Sequence, residues 1–151
     1  MKKNIIYDYF TDDDFLLISD KIKQMEKQTS GEIRVSLFSK KLKEKENSDI
    51  RALAENEFYR LNMQNTRDKT GILIYLNLHI RQFYILADSG INEKVEQSRW
   101  DYIRDEIQKD FASGMFIKGV LNGIESVGRI LSEFFPIKDD DTNEITNQVV
   151  I

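Results

Sequence analysis

Apolar residues recur at helical steps in four stretches of the chain and alternate or run together in three others. Thr11 precedes Asp12, Asp13 and Asp14, which suit an N-cap and the positive end of a helix dipole. Phe10 and Phe15 fall at the two positions of a hydrophobic staple, and Phe15, Ile18, Ile22 and Met25 continue the stripe of a first helix that closes near Gly31. Glu32 to Phe38 alternates polar with apolar and predicts a strand. A second helix, capped by Asn47 or Ser48, carries Ile50, Leu53, Ala54, Phe58 and Leu61 and ends near Met63. Thr70 to Leu76 is nearly continuous in apolar residues, as in a central strand. Gln82 to Ala87 follows after a connection so short that the pair must be an antiparallel hairpin.

Beyond Asp88-Ser89-Gly90 a third helix, beginning between Asn92 and Ser98, presents Trp100, Ile103, Ile107 and Phe111 and runs to about Ser113. The last, from Phe116 to Phe135, is closed by Pro136. Gly119 and Gly123 stand inside it, each costing about 1 kcal/mol relative to alanine, and close approach of another backbone is the expected compensation. Residues 137–151 lack periodicity and read as a tail in which Ile145 and Val149 to Ile151 are placed to dock on the body or a partner. The expected organisation is thus an α/β domain over residues 1–136, a single α/β/α sandwich with a mixed central sheet, followed by an acidic tail over 137–151.

Composition narrows the chemistry. The 151 residues include no Cys and one His, which excludes disulfides, thiolate metal sites, cysteine nucleophiles and a multi-histidine cage. The net charge is −4, yet residues 137–151 alone hold Lys138 against Asp139, Asp140, Asp141 and Glu144, leaving a nearly neutral body. Such a body has no global field for nucleic acid, and the lysines at 40, 41, 43 and 45, interrupted by Glu44 and without interleaved aromatics, read as a solvated loop. Asp8 cuts the first apolar run, and no run reaches the roughly 20 residues of a membrane span, so the expectation is a cytoplasmic protein without membrane insertion. Neither a dinucleotide fingerprint nor a P-loop is present.

Connectivity supplies a candidate site. A strand, crossover helix and second strand are normally parallel, so the first two strands begin at one edge of the sheet, and the third, returning through the hairpin, ends there. Glu32, Asp68 and Asp88 therefore converge on one rim. Like charges so placed favour a cation, and hard carboxylate oxygens suit Mg²⁺ or Ca²⁺, with Asn92 or Glu93 able to add another oxygen. The plainer alternative is that Asp88 caps a turn and that Glu32 pairs with Arg34 or Lys69. His79 belongs to the hairpin at the far end of the sheet, away from Asp88, which argues against a Ser-His-Asp relay using that aspartate.

From Thr11 to Pro136 the residues resemble the TPM-domain family, which includes a plant thylakoid-lumen protein linked to photosystem II repair. The landmarks are Thr29-Ser30-Gly31-Glu32-Ile33, Asp68-Lys69-Thr70-Gly71-Ile72-Leu73-Ile74, Ala87-Asp88-Ser89-Gly90-Ile91, and Phe111 through Gly114, Gly119 and Gly123 to Phe135-Pro136. The resemblance implies a helix-flanked sheet, divalent-cation binding by acidic loop residues matching Asp68 and Asp88, with Glu32 at the shared rim, and in the plant case weak acid phosphatase activity. Many members are exported or membrane-tethered, so cellular roles are not transferred. Two functions are expected on this basis: a cation-binding domain with weak metal-dependent phosphatase activity, or a non-catalytic interaction or assembly module, with a protein partner, whose ion only orders the loops.

Overall fold

The computed structural model describes residues 4–42, 49–137 and 149–151. Among the described residues three strands form the sheet: β1 (Glu32–Phe38), β2 (Gly71–Asn77) and β3 (Gln82–Ala87), in spatial order β1-β2-β3. β1 and β2 are parallel, with Glu32 opposite Gly71, and β2 and β3 are antiparallel, with Ile72 opposite Ala87. The mixed sheet and crossover are those predicted. β2 is buried along its whole length, which accounts for its unbroken apolar run.

Among the described residues five helices surround it: α1 (Asp12–Glu26), α2 (Ile50–Arg60), the short α3 (Ser89–Asn92), α4 (Gln97–Ala112) and α5 (Phe116–Phe134). A 3₁₀ turn, Ile5–Asp8, precedes them and buries Ile6. Strand alternation divides the core into two layers. Ile33, Val35, Leu37, Ile72, Ile74 and Leu76 face α1 and α5. Leu73 and Tyr75 face Leu53, Ala54 and Phe58 of α2. Helices thus cover both faces, giving the α/β/α sandwich.

Local chemistry sets the boundaries. Thr11 and Asp14 form a capping box on α1, Thr11 Oγ1 accepting from the Asp14 N–H at 3.2 Å while Asp14 Oδ2 accepts from the Thr11 N–H at 2.9 Å. α1 stops at Glu26, earlier than the predicted Gly31, because Thr29 is taken into a bridge with Pro136 and the Glu26 carboxylate accepts from the Ile33 N–H at 2.7 Å. Asp49 caps α2; the predicted caps Asn47 and Ser48 lie outside the described residues. α2 ends before Met63, since Asn62 takes a left-handed conformation at φ 57°.

The glycines of α5 are used for close packing. A Cβ on Gly119 would sit 2.6 Å from Phe111 Cε1, and one on Gly123 would sit 2.8 Å from Ile107 Cδ1, so both let α4 lie against α5. No helix among the described residues is long and apolar enough to cross a membrane.

Candidate functional site

Three chain segments meet at the rim where β1 and β2 begin and β3 ends. The Glu32 N–H donates to Thr70 O at 3.1 Å and the Asp88 N–H to Gly71 O at 2.9 Å, which places Glu32, Gly71 and Asp88 in one cross-strand row. The convergence predicted from connectivity is therefore present in the backbone. Asp68 stands on the loop entering β2. That loop is held by its own bonds, the Thr70 N–H to Thr66 Oγ1 at 3.1 Å and Lys69 Nζ to Gln64 O at 2.6 Å, with Lys69 left-handed at φ 57°. The Gly90 N–H donates to Lys69 O at 3.0 Å, and a Cβ on Gly90 would lie 2.2 Å from Asp68 O, so the two acidic loops touch through backbone at a residue that must lack a side chain.

The carboxylates have different surroundings. Asp88 is the N-cap of α3, its Oδ1 accepting from the Ser89 N–H at 2.7 Å. Asp88 is thus the cap that the plainer sequence reading allowed. Its second oxygen, Oδ2, is buried and has no hydrogen-bond partner among the described residues. Asp68 is 40% exposed and lies 3.6 Å from Arg67 Nε.

Glu32 is 4% exposed and interacts with Glu26, a residue absent from the sequence reasoning. Burial pushes the Glu26 carboxyl up to about 9, the Ile33 N–H opposes that shift, and the charge and hydrogen bonding of Glu32 add to it. Glu26 Oε1 is buried without a fixed donor. Two ionised carboxylates are acceptors only, so a hydrogen bond between this pair requires one of them to be protonated.

These facts test the rim as a cation site. Asp88, with an orphaned buried oxygen, and Asp68, on the loop that touches Gly90, fit a hard cation. Glu32 does not join them readily: it stands two strands from Asp88, roughly 10 Å at ~4.8 Å per strand, and it turns to Glu26. No group of three or more His, Cys, Asp or Glu among the described residues is arranged to hold a metal ion.

A second polar cluster lies on the α2 face. Ser36 Oγ donates to Glu57 Oε2 at 2.5 Å, and Arg60 Nε donates to Glu57 Oε1 at 2.6 Å. Glu57 is 5% exposed, and burial lowers the neighbouring Arg34 from its usual value, with the charge of Arg60 lowering it further and that of Glu57 opposing. Its signal was legible: Glu57 falls in the buried stripe of α2, three residues after Ala54 and three before Arg60. At the opposite end of the sheet, a cleft of about 520 Å³ is walled by Tyr9, Phe83, Phe111 and Phe116 and stands apart from the acidic rim. His79 is exposed in the hairpin there, as expected.

The chain resembles solved structures over nearly its full length. The NMR structure of the BA42 protein from the psychrophilic bacterium Bizionia argentinensis shares 37% identity and superposes with a TM-score of 0.82 over 94% of each chain. The N-terminal domain of a protein from P. gingivalis, at 16% identity, has the same fold, with a TM-score of 0.63 over 83% of this chain and 78% of that one. No curated protein sequence matches. The model of the TPM domain matches residues 6–130, covering all three strands and the acidic rim, and the chain belongs to the TPM-domain family.

Proposed function

We propose that this TPM domain binds a divalent cation, Mg²⁺ or Ca²⁺, at the rim through Asp68 and Asp88, and that the ion ties the two loops together. The observation that carries the reading is Asp88 Oδ2, a carboxylate oxygen buried without a partner among the described residues beside a loop that brings a second aspartate. Both ions take oxygen ligands, and with two carboxylates the remaining positions fall to backbone carbonyls and water, which suits a weak site.

Binding is better supported than hydrolysis. A phosphatase would need an acid for the leaving group. Burial raises the Glu26 carboxyl on the same rim, yet the strand spacing puts it too far from Asp88 to deliver a proton to a phosphoryl group bound there. The domain accordingly reads as a binding or assembly module, with weak phosphatase activity as the subordinate reading.

Titration of Mg²⁺ and Ca²⁺ into isotopically labelled protein decides it. The expected result is a set of amide shifts confined to residues 66–71 and 88–93 that disappears in Asp88→Asn, a change that keeps a good N-cap and removes the charge. Shifts of equal size in the variant, or none at these residues, would refute the site. Asp88-dependent turnover of a phosphate monoester would move the assignment to catalysis.

A further inference from the structure

The aromatic cleft lies beyond the carboxyl end of β2, in the row where β1 also ends at Phe38, and the carboxyl ends of parallel strands are where open α/β sheets bind ligands. Four segments wall it: the turn before α1, the β2–β3 hairpin, the last turn of α4 and the first residue of α5. At about 520 Å³ it has the size of a small-molecule site. β2, seven residues long, separates it from the acidic rim by roughly 20 Å.

The rings in the cleft form one chain of contacts. Phe83 meets Phe111 edge to face at 5.3 Å and 81°, Phe111 meets Phe116 at 5.8 Å, and Phe116 meets Tyr9 edge to face at 4.8 Å and 79°. All four are only half-buried, so they hold apolar surface that the core does not take up. Gly119 sets the place of Phe111, since a Cβ there would lie 2.6 Å from its Cε1. Asn77, fully buried, fixes the hairpin: its Oδ1 accepts from the His79 N–H at 3.2 Å and the Ile80 N–H at 3.3 Å. That hairpin carries Arg81 into the lining with a left-handed backbone at φ 53°, where Gly or Asn is usual. The Arg81 guanidinium makes no hydrogen bond or ion pair among the described residues.

We propose that this cleft binds a small planar aromatic carboxylate, its ring packed on Tyr9, Phe83, Phe111 and Phe116 and its carboxylate paired with Arg81. The walls select a flat ring because aromatic faces and edges complement one another. Arg81 selects the anion, since its guanidinium fork matches the two oxygens of a carboxylate. Asp8, also in the lining, opposes a second negative charge, which favours a monoanion over a phosphate-ester dianion.

The test titrates the full chain with naphthalene carboxylate and with its neutral carboxamide, following amide shifts. The acid is expected to shift Tyr9, Phe83, Phe111 and Phe116 and to leave residues 66–71 and 88–93 unmoved, with or without Mg²⁺. Arg81 and Ala112 are exposed, so substitution at either keeps the fold. Arg81→Gln should weaken the acid at least about tenfold and leave the carboxamide within about twofold of its affinity for the unaltered chain. Ala112→Trp, which fills the cleft from the end of α4, should abolish binding of both. Absence of binding, shifts away from the cleft, a carboxamide as tight as the acid, or an Arg81→Gln chain that keeps full affinity for the acid overturns the proposal. Sedimentation of the unaltered chain as a dimer that Ala112→Trp dissociates would assign the aromatic walls to a second copy and overturn it as well.

Discussion

The Glu26–Glu32 pair makes stability depend on pH in a direction opposite to that of an ordinary carboxylate. The folded-state carboxyl of Glu26 is raised to about 9, against 4.5 for the free group. Between those values the folded chain holds a proton that the unfolded chain has released, so stability falls as pH rises through this window and is greatest at its acid end. For one group the slope is at most one proton's worth, so the loss between pH 6 and pH 8 is at most about 3 kcal/mol. In a chain of this size each kcal/mol moves the melting temperature by roughly 2–4 °C, so the drop over that range is at most roughly 10 °C. Glu26→Gln keeps an oxygen for the Ile33 N–H and removes the ionisation. The variant should melt above the unaltered chain at pH 8, approach it near pH 5, and lose most of the slope. Circular dichroism melts at pH 5, 6, 7 and 8 in constant salt measure both curves. Parallel curves, or a variant less stable at pH 8, would show that no proton is shared between these carboxyls in the folded state.

Three further substitutions probe the packing around the sites. Gly90→Ala should cost about 1–3 kcal/mol in urea unfolding, because its methyl is directed at the Asp68 and Lys69 carbonyls and backbone must move; amide shifts should concentrate at residues 66–71. Ser36→Ala removes the hydroxyl donor to Glu57 and should lose about 1–3 kcal/mol, with Ser36→Thr tested as the conservative partner. Gly123→Ala sets a methyl against Ile107 and should lower the melting temperature while leaving cation-induced shifts at Asp88 intact, since Gly123 lies against Ile107 and Ile74 rather than at the rim.

The elements that rest on periodicity were legible in the chain. β1 and β3 have the predicted limits, and α5 ends one residue from its expected position, because alternation, helical spacing and Pro136 report local geometry directly. Connectivity then carried the inference to the rim, where backbone hydrogen bonds join the neighbourhoods of Glu32, Asp68 and Asp88. What spacing does not report is side-chain direction. Glu32 stands in the same row as Asp88, yet it is committed to Glu26 from the preceding helix, a contact that depends on α1 stopping five residues before Gly31. α3 was missed for a similar reason: four residues are too few to show a period, and its one local signal, Asp88 before Ser89-Gly90, is the same signal that suggests a turn or a metal ligand.

The edge and the rim are two consequences of one small sheet. Three strands leave two of them at edges, and the β1 edge is closed by the Glu26 side chain at Ile33 and by the Val150 main chain at Val35 and Leu37. Using a carboxylate as the first cover buries Glu26 and sets it beside Glu32; burial first, and Glu32 after it, raise its proton affinity and make that cover sensitive to pH. An ionised Glu26 accepts from the Ile33 N–H more strongly and repels Glu32; a protonated one relieves the repulsion and weakens its hold on the edge. The start of β1 and the seat of Val150 lie on the same strand within four residues. Release of the proton should therefore loosen the rim and tighten the Ile33 cap together, and exchange at the Ile33 amide should slow with rising pH relative to Leu37 after correction for intrinsic rates. Equal pH dependence at the two amides would separate the carboxyl pair from the edge it covers.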